Sequence, residues 1–135
     1  MINRLQVLDC TLRDGGYYNN WHFEKNLVND YLRAIDETKI KYVEIGFRSL
    51  DKRKIKGNTA YTTDKFINSL KIPKDLNIGV MVNASDFLQS NLNIKKTCRL
   101  LFPQTKNTKI KLVRLACHID EPFQIKKAIK WLKEN

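Results

Sequence analysis

The chain has 135 residues, a length that suits a single domain with one modest core. Hydrophobic residues make up 42% of the chain and charged residues 29%, a balance typical of a folded globular protein rather than a disordered one. The formal net charge is +11, but the lysines are spread along the whole chain, so we expect a solvated basic surface and not a nucleic-acid patch.

The lengths of the apolar runs and the number of cysteines bear on membrane association and on the cellular compartment. No apolar run approaches the roughly 20 residues that span a bilayer, and the N-terminus has no signal-peptide pattern. The three cysteines show no CxxC spacing and cannot all pair within one chain. We therefore expect reduced thiols, a cytoplasmic protein and no membrane association.

Strands and helices alternate along the chain. The strands are predicted at Leu5–Leu12, Lys41–Phe47, Asn77–Asn83 and Ile110–Cys117. Four helices are predicted: one at Phe23–Thr38, one that follows a cap at Thr62 or Thr63, one at Ile94–Phe102, and one that follows a cap at Asp120 and buries Phe123 and Ala128. A short turn of helix is predicted around Ser85–Gln89, and a basic, turn-rich segment is predicted at Arg48–Tyr61. This order predicts an α/β fold with a parallel sheet.

The two faces of the predicted sheet differ in polarity. Alternate residues put aliphatic side chains on one face, while the other face collects Asp9, Arg13, Glu44, Asn83, Arg114 and His118. A doubly wound sheet is covered by apolar contacts on both faces. A barrel interior, with polar groups towards the C-terminal ends of its strands, explains the asymmetry better.

The run from Asp9 to Gly16 holds the strongest candidate site. It places Arg13 and Asp14 at the predicted end of the first strand, followed by Gly15 and Gly16. Glycines can take positive φ and let a ligand approach the backbone, so a Gly-Gly turn is predicted here. A solvent-facing turn is the alternative.

Glu44 is a carboxylate within an apolar strand, which costs several kcal/mol unless it is paired. A structural ion pair with Arg13 or Arg114 is one interpretation, and it does not exclude a catalytic role. Arg114 in turn could bind a substrate carboxylate as a fork or neutralise Asp9 or Glu44.

The remaining candidates each have a structural alternative. His118 could contact metal or substrate, His22 could start a helix, and Asn83 could face substrate or simply end a strand. Tyr17, Tyr18 and Trp21 could form an aromatic wall or pack the loop. Asp9 could be a ligand or a structural acceptor inside the barrel, and the cysteines are expected to pack as small hydrophobes.

The motifs resemble the DRE-type TIM-barrel metallolyase superfamily, which includes hydroxymethylglutaryl-CoA lyase, isopropylmalate and homocitrate synthases, and 4-hydroxy-2-oxovalerate aldolase. The family's Asp-x-Thr-Leu-Arg-Asp-Gly signature is present as Asp9 to Gly15, and the family glutamate matches Glu44. The segment from Val113 to His118 resembles the fourth-strand region of the aldolase branch.

The resemblance implies divalent-metal-dependent cleavage or formation of a carbon–carbon bond on a 2-oxo acid such as pyruvate. Asp14 would ligate Mn or Mg, Arg13 would stabilise the enolate oxygen, and Glu44 would hold Arg13 or a metal-bound water. Substrate contacts would come from Arg114, Asn83 and His118. The family's usual histidine base is replaced here by Gly15-Gly16-Tyr17, so Tyr17 or His22 would have to substitute.

Half of the family's site is missing from the sequence. There are only two histidines and no His-x-His motif for the remaining metal ligands, and a typical barrel needs about 250 residues. The predicted fold is therefore a (βα)4 half of a TIM barrel over residues 1–135, ending before strands five to eight, with weak metal binding and no activity alone. It would be a fragment, an inactive remnant, or one half of a homodimer or of a pair with a complementary half-barrel chain. The alternative is a non-catalytic half-barrel that binds a partner chain or nucleic acid through its open strand edges and basic surface.

Overall fold

Four parallel strands form the centre of the molecule and lie in the sheet in chain order. The computed structural model describes residues 5–52, 56–88 and 91–135. The strands are β1 (Leu8–Asp9), β2 (Tyr42–Phe47), β3 (Asn77–Asn83) and β4 (Ile110–Ala116). The helices are α1 (Thr11–Asn19), α2 (Lys25–Glu37), α3 (Asp64–Ser69), α4 (Ala84–Leu88), α5 (Ile94–Leu101) and α6 (Lys126–Glu134), with a short 3₁₀ turn at Asn58–Ala60.

The strand order confirms the predicted α/β class and the partial barrel. A doubly wound sheet reverses its strand order at a switch point, whereas this sheet runs β1-β2-β3-β4 without reversal. The part of the chain that the structure describes has no helix long and apolar enough to cross a membrane.

Aliphatic side chains on one face of the sheet make the core. Ile78, Val80 and Val82 of β3 are fully buried, as are Val43 and Ile45 of β2. Each such side chain contributes about 1.5 to 3 kcal/mol by leaving water. The predicted alternation is therefore confirmed for β3 and for Val43 and Ile45 of β2. Phe47 follows a register shift in β2 and joins a second apolar cluster with Trp21 and Ala60, beside Arg13.

The first predicted strand, Leu5–Leu12, is too long at both ends, because β1 begins only at Leu8. Strand β1 ends at Asp9, and α1 begins at Thr11. The cause is local: the Asp9 carboxylate accepts hydrogen bonds from the Thr11 backbone N–H at 2.9 Å and from its hydroxyl at 3.2 Å, which turns the chain into a helix. The Tyr31 hydroxyl also donates to Asp9, so this residue is the structural acceptor that was one of its two interpretations.

The segment after β4 also differs from its prediction. Helix α6 begins at Lys126, and Asp120 does not cap it. A turn comes first, closed by the Glu121 carboxylate, which accepts from the His118 backbone N–H at 2.7 Å. Phe123 lies on this turn and is 88% exposed, so its predicted burial is wrong, while the buried position of Ala128 is confirmed.

The other helix predictions hold closely. Thr63, one of the two proposed caps, accepts from the Phe66 N–H at 3.2 Å at the start of α3. Helix α4 covers the predicted short turn, whose last residue, Gln89, lies outside the described residues. Part of the predicted turn-rich segment, residues 53–55, also lies outside them.

Candidate functional site

Two arginines converge on one buried carboxylate on the polar face of the sheet. Glu44 of β2 is fully buried and accepts from Arg13 Nε at 2.7 Å, and Arg13 comes from the first turn of α1. Arg114 reaches it from β4 with a fork, Nε to Oε2 at 2.7 Å and Nη2 to Oε1 at 2.6 Å. Arg13 also binds Asp14, with Nη1 to Oδ1 at 2.5 Å. We call Arg13, Asp14, Glu44 and Arg114 the charge cluster.

The charge cluster keeps Glu44 ionised. Burial alone would raise the pKa of this carboxyl, but the hydrogen bonds and positive charges of Arg114 and Arg13 outweigh burial, and the net effect lowers it. The same pairing raises the pKa of Arg114. For Arg13, burial is the largest single effect and lowers the pKa, but the bond to Glu44 and the charges of Asp14 and Glu44 together outweigh burial, and the net effect raises the pKa. All three groups are therefore charged at neutral pH, and both ion-pair interpretations of Glu44 are correct together.

The two arginines of the charge cluster differ in the exposed fraction of their side chains. The Arg13 side chain is only 12% exposed, whereas that of Arg114 is 42% exposed. Arg114 also lies near two sulfur atoms, with Nη2 3.7 Å from Cys10 Sγ and 3.8 Å from Met81 Sδ. Burial, followed by the charge of Glu44, raises the pKa of the Cys10 thiol, so this group is a protonated neighbour of the cluster.

Asp14, the predicted metal ligand, is bound to Arg13 on both oxygens. Its second contact is from Arg13 Nη2 to Oδ2 at 3.1 Å, and its side chain is 59% exposed. No three His, Cys, Asp or Glu side chains within residues 5–52, 56–88 and 91–135 are grouped so as to hold a metal ion. Because Mg and Mn sites need several oxygen or nitrogen ligands, these residues do not make a metal site by themselves.

The two glycines after Asp14 do not act as predicted. Residues 15 and 16 lie within α1, and neither has a positive φ. Gly16 is needed for close packing instead, since a Cβ there would lie 2.0 Å from Cδ1 of Trp21. Gly15 has room for a Cβ, whose nearest contact would be Phe23 at 3.8 Å.

An open cleft of about 570 Å³ is linked to the charge cluster through Phe47, although none of the four cluster residues lines it. One wall is aromatic: the Tyr17 and Trp21 ring centroids are 4.7 Å apart, and those of Trp21 and Phe47 are 5.6 Å apart. Phe47 also lies beneath Arg13, whose Cζ is 5.8 Å from the ring centroid. Of the two roles predicted for Tyr17 and Trp21, an aromatic wall and loop packing, the structure therefore shows the wall. Their contacts with Phe47 link the cleft to the charge cluster.

The far side of the cleft is polar, and one of its residues, Asp86, was not predicted from the sequence. Asn83 lines it, at the end of β3 as predicted. Asp86 lies next to it and accepts from the Ser49 hydroxyl at 2.9 Å and from the Leu50 N–H at 3.0 Å. Burial raises the pKa of the Asp86 carboxyl. The sequence feature that could have identified Asp86 is its position in the first turn of a helix that directly follows a buried strand.

Three other candidates lie apart from the charge cluster. His118 is exposed beyond β4, and within the described residues no hydrogen bond or ion pair joins its side chain to the cluster. His22 is exposed, and its backbone carbonyl accepts from Asn19. Tyr18 is 96% exposed, which removes it from the aromatic wall. The roles proposed for His118 and for Tyr17 or His22 as a base stay predictions.

Three comparisons with known proteins were made. No protein-family model matches the chain, and no curated protein matches it. Among solved structures, the N-terminal domain of a "putative aldolase" from Bacteroides vulgatus matches with a TM-score of 0.73 and 31% sequence identity. The match covers 96% of this chain and 42% of that chain, so this chain spans less than half the length of that neighbour. The chain therefore has an aldolase-like half-barrel fold.

Proposed function

We propose that the chain is the N-terminal half of a metal-dependent aldolase or lyase that makes or breaks a carbon–carbon bond next to the carbonyl of a 2-oxo acid. The charge cluster carries this proposal. Two guanidinium groups fixed on one buried carboxylate, at the polar face of a half-barrel, hold N–H donors in a set orientation, and preorganised donors of this kind stabilise developing negative charge. The aldolase-like neighbour supports the same class of reaction.

Each member of the charge cluster has a distinct part in this proposal. Glu44 fixes the orientation of both arginines, because it is buried and accepts from each of them. Arg13 then presents its remaining N–H groups to the enolate oxygen that forms as the bond breaks. Arg114, being 42% exposed, binds the substrate carboxylate as a fork. Asn83, from the cleft wall, contacts the substrate as well.

The metal remains part of the proposal for the complete protein. Asp14 lies beside Arg13 at the open side of the charge cluster, and its 59% exposed side chain is accessible to an ion. Further oxygen or nitrogen ligands would have to come from outside these residues. We expect Mn or Mg, in keeping with the hard carboxylate ligand.

A complementary half-barrel would supply those ligands, and the outer edge of β4 is where we propose that it docks. Beyond β4 lies a groove of about 360 Å³ whose lining is largely aliphatic and aromatic, including Val113, Leu115, Ile129 and Trp131. An unpaired parallel strand beside an apolar groove fits a further strand and helix of the same sheet. The greater length of the aldolase neighbour is consistent with such a continuation.

The proposed docking can be tested by measuring, with light scattering, the mass of the chain in solution together with its complementary half. With Val113→Lys and Leu115→Lys in β4, we expect light scattering to detect no complex with the complementary half, whereas Leu27→Lys on the exposed side of α2 leaves the complex intact. Self-association of the unmodified chain would instead identify a homodimer. A complex that survives both β4 changes would place the interface elsewhere.

A lyase assay on the complete protein tests the reaction. Release of a 2-oxo acid from a 4-hydroxy-2-oxo acid, measured with Mn or Mg, should fall roughly 100-fold or more for Arg13→Lys and for Asp14→Asn. The matched controls are Arg33→Lys and Asp30→Asn, an exposed pair on α2 joined at 3.1 Å, and they should leave the rate within about twofold. Full activity of Arg13→Lys would refute the proposal.

A further inference from the structure

Trp21 has a backbone conformation that a large side chain seldom adopts. It follows α1 directly, and both Asn20, with φ of 54°, and Trp21, with φ of 59°, lie in the left-handed region. Asparagine tolerates this region at the end of a helix, but for a bulky residue it is an outlier that persists only where the surroundings fix it. Such outliers cluster at functional sites, which makes the contacts of Trp21 informative.

Several contacts fix Trp21 in place. Its backbone N–H donates to the Gly16 carbonyl at 2.9 Å, and its carbonyl accepts from the Thr59 hydroxyl at 3.1 Å. The side chain is 7% exposed and lies in space that a Cβ on Gly16 would fill. A Cβ on Gly57 would lie 1.8 Å from the Trp21 carbonyl oxygen. Two glycines thus leave the room that this tryptophan occupies.

The indole contacts Arg13 by two routes. Its Nε1–H donates to the Arg13 backbone carbonyl at 3.0 Å. Its ring packs edge to face on Phe47, at an interplanar angle of 82°, and Phe47 lies beneath the Arg13 guanidinium. The direct bond holds the Arg13 main chain, and the aromatic contact supports its side chain.

We propose that Trp21 is a positioning residue that sets the orientation of Arg13 towards Glu44. The significance of this role for catalysis rests on the proposed function, but the physical link does not. If Trp21 only filled space, its loss would weaken the whole domain evenly. If it positions Arg13, its indole N–H is needed for the Arg13–Glu44 bond in particular.

Hydrogen exchange of the Arg13 Nε–H, followed by ¹⁵N NMR on the full chain, separates these two roles. Trp21→Phe keeps an aromatic ring and removes the indole N–H. We expect the Arg13 Nε–H, which donates to Glu44 at 2.7 Å, to exchange roughly fivefold to tenfold faster relative to the Val80 backbone amide in the core. Trp131→Phe, in the partly buried part of α6, is the control and should leave this ratio unchanged.

Two adjacent glycines of α1 give a second, matched test. Gly16→Ala pushes a methyl group into the indole and should produce the same faster exchange at Arg13. Gly15→Ala makes the same change one residue earlier, where the nearest contact is an ordinary 3.8 Å, and should not. Should Gly16→Ala fail to fold, Trp21→Phe alone decides.

The outcomes are distinct. Unchanged exchange at Arg13 in Trp21→Phe, or an equal acceleration at Arg13 and Val80, overturns the positioning role. Selective acceleration at Arg13 supports it, even if the complete protein shows no lyase activity. In that last case the proposed function fails while the positioning role stands.

Discussion

Two arginine–carboxylate sites within the described residues have a buried member, and they differ in what surrounds the arginine. Arg48, which follows β2, is 3% exposed, and its guanidinium donates to the Thr62 carbonyl at 3.0 Å, the Leu101 carbonyl at 2.5 Å and Asp64 at 2.5 Å. Its Cζ also lies 5.1 Å from the centre of the Phe102 ring. This arginine is enclosed by protein groups on every side that the structure describes, so it ties elements together.

The charge cluster has the same chemistry in a more open setting. Glu44 is fully buried like a core residue, yet Arg114 is 42% exposed and Arg13 adjoins the cleft through Phe47. A guanidinium that is almost fully buried, with each nitrogen bonded to a protein group as in Arg48, stabilises a fold, whereas one with an open side can also bind a ligand. The comparison therefore indicates a structural role for Arg48 and supports the ligand-binding role proposed above for the cluster.

The largest effect on stability is expected from Arg48→Ala. The change leaves Asp64 without its guanidinium partner and removes the donor from two carbonyls, and breaking a buried pair in this way costs about 3 to 5 kcal/mol. Urea denaturation followed by circular dichroism would measure the free energy of unfolding. A loss below about 1 kcal/mol would mean that the site is not the closed structural tie described above.

A surface pair provides the control for that measurement. Lys130 and Glu134 of α6 are 3.7 Å apart, with side chains 76% and 58% exposed. Lys130→Ala should change the free energy of unfolding by only about 0.3 to 0.5 kcal/mol. A similar loss in both variants would show that the stability measurement does not separate buried from exposed pairs.

Glu44→Gln should have a smaller effect on stability, and one that depends on pH. The pKa of Glu44 is lowered in the folded protein, so its stabilising contribution is complete above the ordinary value of 4.5 and is lost as the pH falls through the folded value. As the pH falls below 4.5, the wild-type free energy of unfolding should therefore fall more steeply than that of Glu44→Gln. Parallel pH profiles would show that Glu44 does not titrate as part of this cluster.

The sequence predicted the sheet and the cluster better than it predicted the connections. Strand β3 was predicted at its observed limits, because buried aliphatic residues alternate there with smaller or polar ones. Strand parity predicted that Glu44 pairs with Arg13 or Arg114, since a carboxylate in an apolar strand needs partners, and the structure shows that it pairs with both. These features depend on periodic burial, which a single sequence records directly.

The failures depend on side-chain contacts that periodicity does not record. One carboxylate bond from Asp9 to the Thr11 backbone converted the end of a predicted strand into α1. Gly16 was interpreted as a turn residue because a Gly-Gly pair usually is one, yet its purpose is to make room for Trp21. Arg48 has no motif at all, and its carbonyl partners are 14 and 53 positions away along the chain.

The sequence separation of the Glu44 contacts bears on the order of folding. Arg13 is 31 positions from Glu44, while Arg114 is 70 positions away and must reach across β3 from β4. Closing the longer loop costs more chain entropy, so the fork from Arg114 should form only once β4 has joined the sheet. During synthesis, a chain that ends before β4 would hold its buried acid with one arginine alone. The complete charge cluster, with one bond from Arg13 and the fork from Arg114, is thus a late event in folding and exists only in chains whose sheet is finished.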